Sequence, residues 1–306
     1  MKPPSFEYVA PRTLDEALEA LATSNGEAKI LAGGQSLIPL LNFRLARPRL
    51  LVDLNRIPEL GYIDDRDGGL AIGAMTRDAA VEREPLVRER MPLLDEAIRW
   101  VGHAAIRARG TVGGNLAHAD PAAELPAVAV CLGAELTIAG PRGRRTLAAE
   151  DFFQGYLTTA LQPDEILVDV WLPAVAPSTG QAWLEFARRH GDFALVGVAV
   201  SLTLDRGEVS NACIVLTGVG GKPVRARAAE TVLVGGQIED RMTPAADAVR
   251  GAIDPDADIH ASKEYRTHLA GVLTQRAIHT ALERALAQDP SALDVRRALE
   301  RMSRYA

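Results

Sequence analysis

The sequence predicts an α+β chain in which two small mixed subdomains precede an antiparallel sheet backed by helices. Three observations carry that expectation. Short apolar runs at 29–32 and 50–54 are separated by one apolar segment, 37–45, the grammar of a parallel β–α–β unit. Longer apolar runs at 193–204 and 209–219 flank Asp205-Arg206-Gly207, as in an antiparallel hairpin. Helical patterns then dominate from Ala226 onward, which puts helices in one layer behind that sheet.

With 306 residues the chain has room for two domains of ordinary size. It is 47% hydrophobic and 24% charged, the balance of a soluble globular protein. The net charge of -6, with arginines dispersed among acids, argues against a nucleic-acid-binding arm. No apolar run is long enough to span a bilayer, and Met1-Lys2-Pro3-Pro4-Ser5-Phe6-Glu7 has no apolar signal core. A cytoplasmic location is the expectation. Two cysteines, Cys131 and Cys213, sit in apolar runs and read as buried thiols. They cannot supply the four thiolates of an ordinary iron–sulfur cluster, and no His/Cys metal spacing is present. Redox chemistry on this chain therefore requires an organic cofactor.

The elements follow in order. Thr13 and Glu16 form a capping box for a helix whose Leu14, Leu18 and Leu21 share one face. Asn25-Gly26 ends it. Residues 29–32 and 50–54 are strands, with 37–45 a short helix or irregular apolar segment between them. Residues 60–63 and 70–73 read as a hairpin around the polar turn 64–69. A short helix starts near Thr76, and another runs from Pro92 to Val101. Residues 124–132 form a helix buried on most sides. Strands at 135–139 and 144–147 flank Gly140-Pro141-Arg142-Gly143, and a strand at 164–172 stops at Pro173. The stretch 174–180 is the linker. Beyond it come a strand at 183–187, the long hairpin, and helices at 226–234, 244–253, 265–287 and 291–301. The expected division is 1–177, with subdomains 1–57 and 58–177, then 178–290, then a helical tail at 291–306.

Two segments have the parts of an anion cradle. In Ala32-Gly33-Gly34-Gln35-Ser36-Leu37 a strand runs into two glycines and a hydroxyl residue. In Thr111-Val112-Gly113-Gly114-Asn115 hydroxyl, backbone and amide partners fall within five residues. Glycines let the backbone approach a ligand, and successive N–H groups form nests for phosphate oxygens. Two such segments suit a ligand with two phosphates, such as a dinucleotide. Neither is the three-glycine Rossmann fingerprint, and neither is a P-loop. Glu124 is either an acceptor for ribose hydroxyls or a first-turn acid favoured by the helix dipole. His118 and Asp120 are too few for a metal site, and loop hydrogen bonding suits them better than catalysis. His103 is either a polar group beside the cofactor or a surface residue. Arg188-Arg189-His190-Gly191-Asp192-Phe193 is either a solvated turn or a loop that covers a flat ring with Phe193.

Taken together, the motifs 32–37, 106–115, Asp120-Pro121 and 188–194 resemble the FAD-binding medium subunit of the molybdenum hydroxylases, which include carbon monoxide dehydrogenase, xanthine dehydrogenase and bacterial N-heterocycle dehydrogenases. The likeness runs from Phe6 to about Ala287. It implies a two-subdomain FAD clamp, PCMH-like, followed by a small sheet-plus-helices domain. It implies non-covalent FAD held by Ala32, Gly33, Gly34, Gln35, Ser36 and Leu37 and by Thr111, Gly113, Gly114 and Asn115. Further contacts are implied at His103, Ile106, Asp120, Glu124, Leu167 and Asp192, with Phe193 against the isoalloxazine. No catalytic residue and no metal ligand is implied on this chain. Gln35 stands where some relatives carry histidine. Glu185 stands where several carry a lysine, and a carboxylate there would not favour an anionic reduced flavin. The resemblance also implies partners: a large molybdopterin subunit, a small subunit with two-iron clusters, and a dimer of heterotrimers. FAD would pass electrons from a cluster to an external acceptor. A free-standing FAD oxidoreductase with the same clamp is the alternative, and a non-catalytic nucleotide-binding module is a third reading.

Overall fold

The computed structural model describes residues 2–235 and 238–288. The helix expected at 291–301, with the whole 291–306 tail, lies outside the described residues. The chain begins with a short exposed strand that sequence reading missed, β1 (Glu7–Val9). In α1 (Leu14–Thr23) the Thr13 hydroxyl accepts from the Glu16 N–H, and the Glu16 carboxylate accepts from the Arg12 N–H at 2.7 Å. This is the expected box, displaced by one residue at its return bond. Asn25 and Gly26 end the helix with φ of 51° and 81°. Then come β2 (Ala28–Leu31), α2 (Leu37–Asn42) and β3 (Leu50–Asp53). The strands form a parallel sheet in the order β1-β3-β2, so the β–α–β reading holds.

The hairpin of β4 (Ile63–Arg66) and β5 (Gly69–Gly73) turns on two residues, Asp67 and Gly68, at φ 52° and 76°. Such a tight turn matches strand twist, and so Asp64, Asp65 and Arg66 join the strand instead of the turn. Helices follow: α3 (Asp78–Val81), α4 (Pro85–Arg90), α5 (Pro92–Ala97), α6 (Ala104–Arg107), α7 (Val112–His118) and α8 (Glu124–Cys131). Next are β6 (Glu135–Gly140), β7 (Gly143–Ala148), α9 (Ala149–Phe152), the small pair β8 (Phe153–Gly155) and β9 (Thr158–Thr159), and β10 (Ile166–Leu172). β10 is the middle of an antiparallel sheet ordered β4-β5-β10-β6-β7, with a bulge between Leu167 and Asp169. The linker is shorter than the sequence suggested, because β11 (Thr179–Phe186) already starts at Thr179.

β11, β12 (Val196–Asp205), β13 (Glu208–Thr217) and β14 (Val224–Arg225) form the last sheet, in that order and antiparallel. The β12–β13 turn is Arg206-Gly207, with φ 53° and 82°. α10 (Arg227–Leu233), α11 (Met242–Ala252) and α12 (Lys263–Gln288) follow among the described residues.

By contacts the chain forms two compact units, and neither is continuous in sequence. Among the described residues, the first comprises those up to 85, 101–120 and 133–173; the second comprises 86–100, 121–132 and those from 174 onward. The first unit's core joins Ala17 and Leu21 of α1 to Val52, Ile57, Leu60, Ile166 and Val168. In the second unit Val198, Val200, Ile214 and Leu216 of the sheet meet Ala277, Ile278 and Leu282 of α12. Its edge strand β11 is closed by side chains. Glu96 accepts from the Trp183 N–H at 3.0 Å, Arg284 donates to the Gln181 carbonyl at 2.5 Å, and Gln288 donates to that of Thr179 at 3.3 Å. An open edge of this length would otherwise invite strand pairing with another chain.

Candidate cofactor site

The first unit brings the two glycine segments together. A Cβ placed on Gly33 would lie 2.3 Å from the Arg109 carbonyl oxygen and 2.8 Å from the Gly110 Cα. One placed on Gly114 would be 3.4 Å from the Ala32 Cβ. The segments touch backbone to backbone, which only glycine at position 33 allows.

They are not alike. At 33–36 the chain turns between β2 and α2, with Gly34 at φ 74°. The N–H groups of Gly33, Gly34, Gln35 and Ser36 have no acceptor among the described residues. The Gln35 carboxamide donates to the Gly33 carbonyl at 3.0 Å and fixes the turn. Residues 111–115, read from sequence as a glycine loop, are instead the start of a helix. Thr111 is the N-cap of α7, and its hydroxyl accepts from the Gly114 N–H at 3.1 Å. The Val112 and Gly113 N–H groups donate to the Thr76 and Ala74 carbonyls. The cap and these tertiary bonds hold two glycines in a helix despite their poor propensity. Here the N–H groups are consumed internally, and what the segment leaves free is a side-chain atom: the buried Asn115 Oδ1 has no partner. An unpartnered buried acceptor is costly unless something fills it.

A polar network ties both segments to the parallel sheet. The Tyr8 hydroxyl donates to Asp53, which also accepts from the Asn55 backbone N–H at 2.8 Å. The Asn55 side chain donates to the Ala32 carbonyl at 2.9 Å. Arg77 donates to the Asn55 Oδ1 at 2.6 Å and to the Arg109 carbonyl. Asn55 and Arg77 carry no local motif and were invisible in the sequence. Arg107, part of the motif, is buried and structural: it pairs with Glu82 at 2.9 Å and donates to the Val101 and Gly102 carbonyls. Beside it Asp78 is buried, with its Oδ1 unpartnered. Burial pushes that carboxyl up to about 7, against the pull of Arg107 and Arg77.

The other expected contacts fall as follows. In the first unit His103 is exposed before α6, Ile106 is half-buried in it, and Leu37 opens α2. His118 and Asp120 approach to 4.0 Å, after Ala119 ends α7 in the left-handed region. Leu167 is buried in β10 at the bulge. The second unit holds Glu124, Asp192 and Phe193. Asp192 closes a turn onto the Arg189 carbonyl, and Phe193 is 70% exposed just before β12.

Glu185 corrects one expectation. It lies on β11 opposite Gly197, buried in the second unit, where its Oε2 accepts from Trp183 Nε1 at 3.3 Å and its Oε1 has no partner. Burial above all, and then the charge of Glu124, push its carboxyl up to about 9. At neutral pH it is a neutral acid, where the sequence suggested a carboxylate. The fold keeps a proton that the unfolded chain gives up above about pH 4.3. Stability from this group is therefore full in acid and falls as pH rises towards 9. Unfolding free energy is expected to drop between pH 6 and 8.5 by at most about 1.4 kcal/mol per pH unit, and the thermal midpoint to fall with it. Glu185→Gln should flatten that slope and melt higher than wild type at pH 8.5. Parallel melting curves for the two proteins would count against a neutral Glu185.

Residues 4–175 match the family described as the FAD binding domain in molybdopterin dehydrogenase, and residues 181–281 match the CO dehydrogenase flavoprotein C-terminal domain. Fold and site thus define a flavoprotein oxidoreductase subunit. The 6-hydroxypseudooxynicotine dehydrogenase complex subunit alpha of Paenarthrobacter nicotinovorans is 42% identical over 287 residues, covering 93% of this chain and 97% of that one. The carbon monoxide dehydrogenase medium chain of Hydrogenophaga pseudoflava is 38% identical, covering 93% and 99%. A solved carbon monoxide dehydrogenase from the same organism, lacking the Mo-pyranopterin moiety of its molybdenum cofactor, superposes with a TM-score of 0.91 at 40% identity over 93% and 99% of the two chains. The chain belongs to the FAD-binding medium subunits of the molybdenum hydroxylases.

Proposed function

We propose that this chain is the electron-transfer subunit of a heterotrimeric molybdenum hydroxylase, taking electrons from iron–sulfur clusters of a small partner and delivering them to an external acceptor. The observation that carries the reading is the pair of complementary vacancies in hydrogen bonding at one place. Free N–H groups at 33–36 suit phosphate oxygens, and the unpartnered Asn115 Oδ1 suits a sugar hydroxyl. Both belong to what FAD offers. When bound, FAD supplies a centre that accepts electrons singly and releases them singly or in pairs.

The chain's own residues bind and orient. Ala32, Gly33, Gly34, Gln35, Ser36 and Leu37 hold the diphosphate, and Thr111, Gly113 and Gly114 set the close approach that places Asn115. His103, Ile106, Asp120, Glu124 and Leu167 are assigned to the remainder of the cofactor. Phe193, exposed beside Asp192, is assigned to the isoalloxazine face, where an aromatic excludes water. In this reading 1–177 serve the cofactor and 178–290 form the C-terminal domain, although by contacts 86–100 and 121–132 pack with the latter. The large subunit carries molybdopterin and selects the substrate: relatives named for 6-hydroxypseudooxynicotine and for carbon monoxide resemble this chain almost equally, at 42% and 38% identity. A cytoplasmic dimer of heterotrimers completes the proposal.

Tagged chain purified gently from its source cells is expected to be yellow and to bring with it a cysteine-rich small chain and a large chain. Native mass spectrometry should show each chain twice. A flavin-loaded monomer that oxidises small substrates unaided would favour the free-standing alternative and overturn this reading. Colourless protein would point to the nucleotide module.

A further inference from the structure

Arg77 is a half-buried cation without a counter-ion. Its guanidinium donates to two neutral acceptors, the Asn55 carboxamide and the Arg109 carbonyl, and it makes no ion pair among the described residues. Nearby acids compensate it only in part: Asp78 and Asp53 favour its charge, but burial and Arg109 outweigh them. The Asp53 carboxylate is taken by Tyr8 and Asn55, and the Asp78 carboxyl, turned against Gly110, is itself pushed up to about 7 by burial. Burial first, and then the neighbouring Arg109 charge, lower the Arg77 pKa, so the folded chain alone disfavours its charge. Buried cations are ordinarily paired.

The place matters as much as the charge. The carbonyl that Arg77 binds is the one that touches Gly33, and the amide it binds holds the Ala32 carbonyl. One guanidinium thus sits at the seam of the two glycine segments, beside the free N–H groups of 33–36. The N–H groups offer partial charge only, whereas a diphosphate carries full charge. A planar guanidinium with donors to spare is the side chain best suited to meet it.

We propose that Arg77 is the counter-cation of the dinucleotide's diphosphate, and that Asn55 is a positioning residue which holds it at the seam. The inference rests on the FAD reading above. It predicts that the site discriminates charge, in addition to shape, and that Arg77 decides the preference for FAD over flavins without a diphosphate.

The test uses the full chain freed of flavin, titrated with FAD and with riboflavin by flavin fluorescence at several salt concentrations. Arg77→Gln should weaken FAD binding by on the order of tenfold or more and leave riboflavin unchanged. Arg77→Lys should recover most of the loss. Asn55→Ala should weaken FAD less than Arg77→Gln does. Wild-type affinity for FAD should fall with added salt, and Arg77→Gln should respond less. Equal FAD affinity in wild type and Arg77→Gln would overturn the proposal. So would equal losses for FAD and riboflavin, the mark of a merely structural residue. If Arg77→Gln does not fold, the wild-type salt response decides, and a flat response overturns the inference. A wild-type chain that binds neither flavin would instead fail the FAD reading itself.

Discussion

Gly33→Val is expected to give a folded chain that purifies almost without FAD. The added Cβ would stand 2.3 Å from the Arg109 oxygen and 3.0 Å from its carbonyl carbon. Those are backbone atoms and cannot swing aside, so the segments must separate. Separation breaks the contact between positions 32 and 114 and pulls Arg109 from Arg77. The expected loss of FAD affinity is roughly a hundredfold, about 2.7 kcal/mol. Gly133→Ala is the control. Gly133 has φ 65° and open space around it, so it should cost only about 1 kcal/mol of stability and no flavin. Flavin absorbance per polypeptide after gel filtration reads both. Full occupancy in folded Gly33→Val would remove the seam as the cradle.

Arg266→Ala should produce the largest loss of stability. Arg266 is 6% exposed, and its guanidinium donates to the Leu195 carbonyl at 2.6 Å, to that of Gly218 at 3.2 Å and to Asp258 at 2.7 Å. It anchors the chain two residues past Phe193 to the end of β13. Truncation takes the guanidinium from two carbonyls and from the Asp258 Oδ2, whose other oxygen keeps the His260 and Ala261 N–H groups, a cost of about 3 kcal/mol. The melting temperature should fall by roughly 5–10 °C. Arg266→Met keeps much of the stem's packing without the fork. If it melts like wild type in calorimetry, packing and not hydrogen bonding is the role of Arg266.

The sequence made some of this legible and hid the rest for identifiable reasons. Gly-Gly beside hydroxyl and amide residues marked both segments, because close backbone approach requires glycine whatever the partner. The conformation of the second segment was misread for the same reason: Gly113-Gly114 looks like a loop until Thr111, Thr76 and Ala74 supply the bonds that keep it helical. The Arg206-Gly207 turn was plain because its chemistry is local. Arg77 and Asn55 act across 22 residues, and their roles depend on Arg109 and Ala32, so no spacing announces them. β1 is three exposed residues long and borrows its existence from β3. Glu185 changed character because its charge state is set by burial, which a one-dimensional reading does not contain.

The discontinuity of the two units has a consequence for biosynthesis. A ribosome delivers α5 and α8 long before β11, β12 and β13, the strands they pack on. Every residue of α8 is buried in the finished protein, so for the time it takes to make roughly 80 further residues this apolar segment has only α5, and not the sheet, to cover it. Chains emerging in this state are open to capture by one another. The nascent subunit therefore carries an incompletely covered apolar segment for an interval that ends only when Thr217 arrives, whose hydroxyl donates to the Pro121 and Ala123 carbonyls.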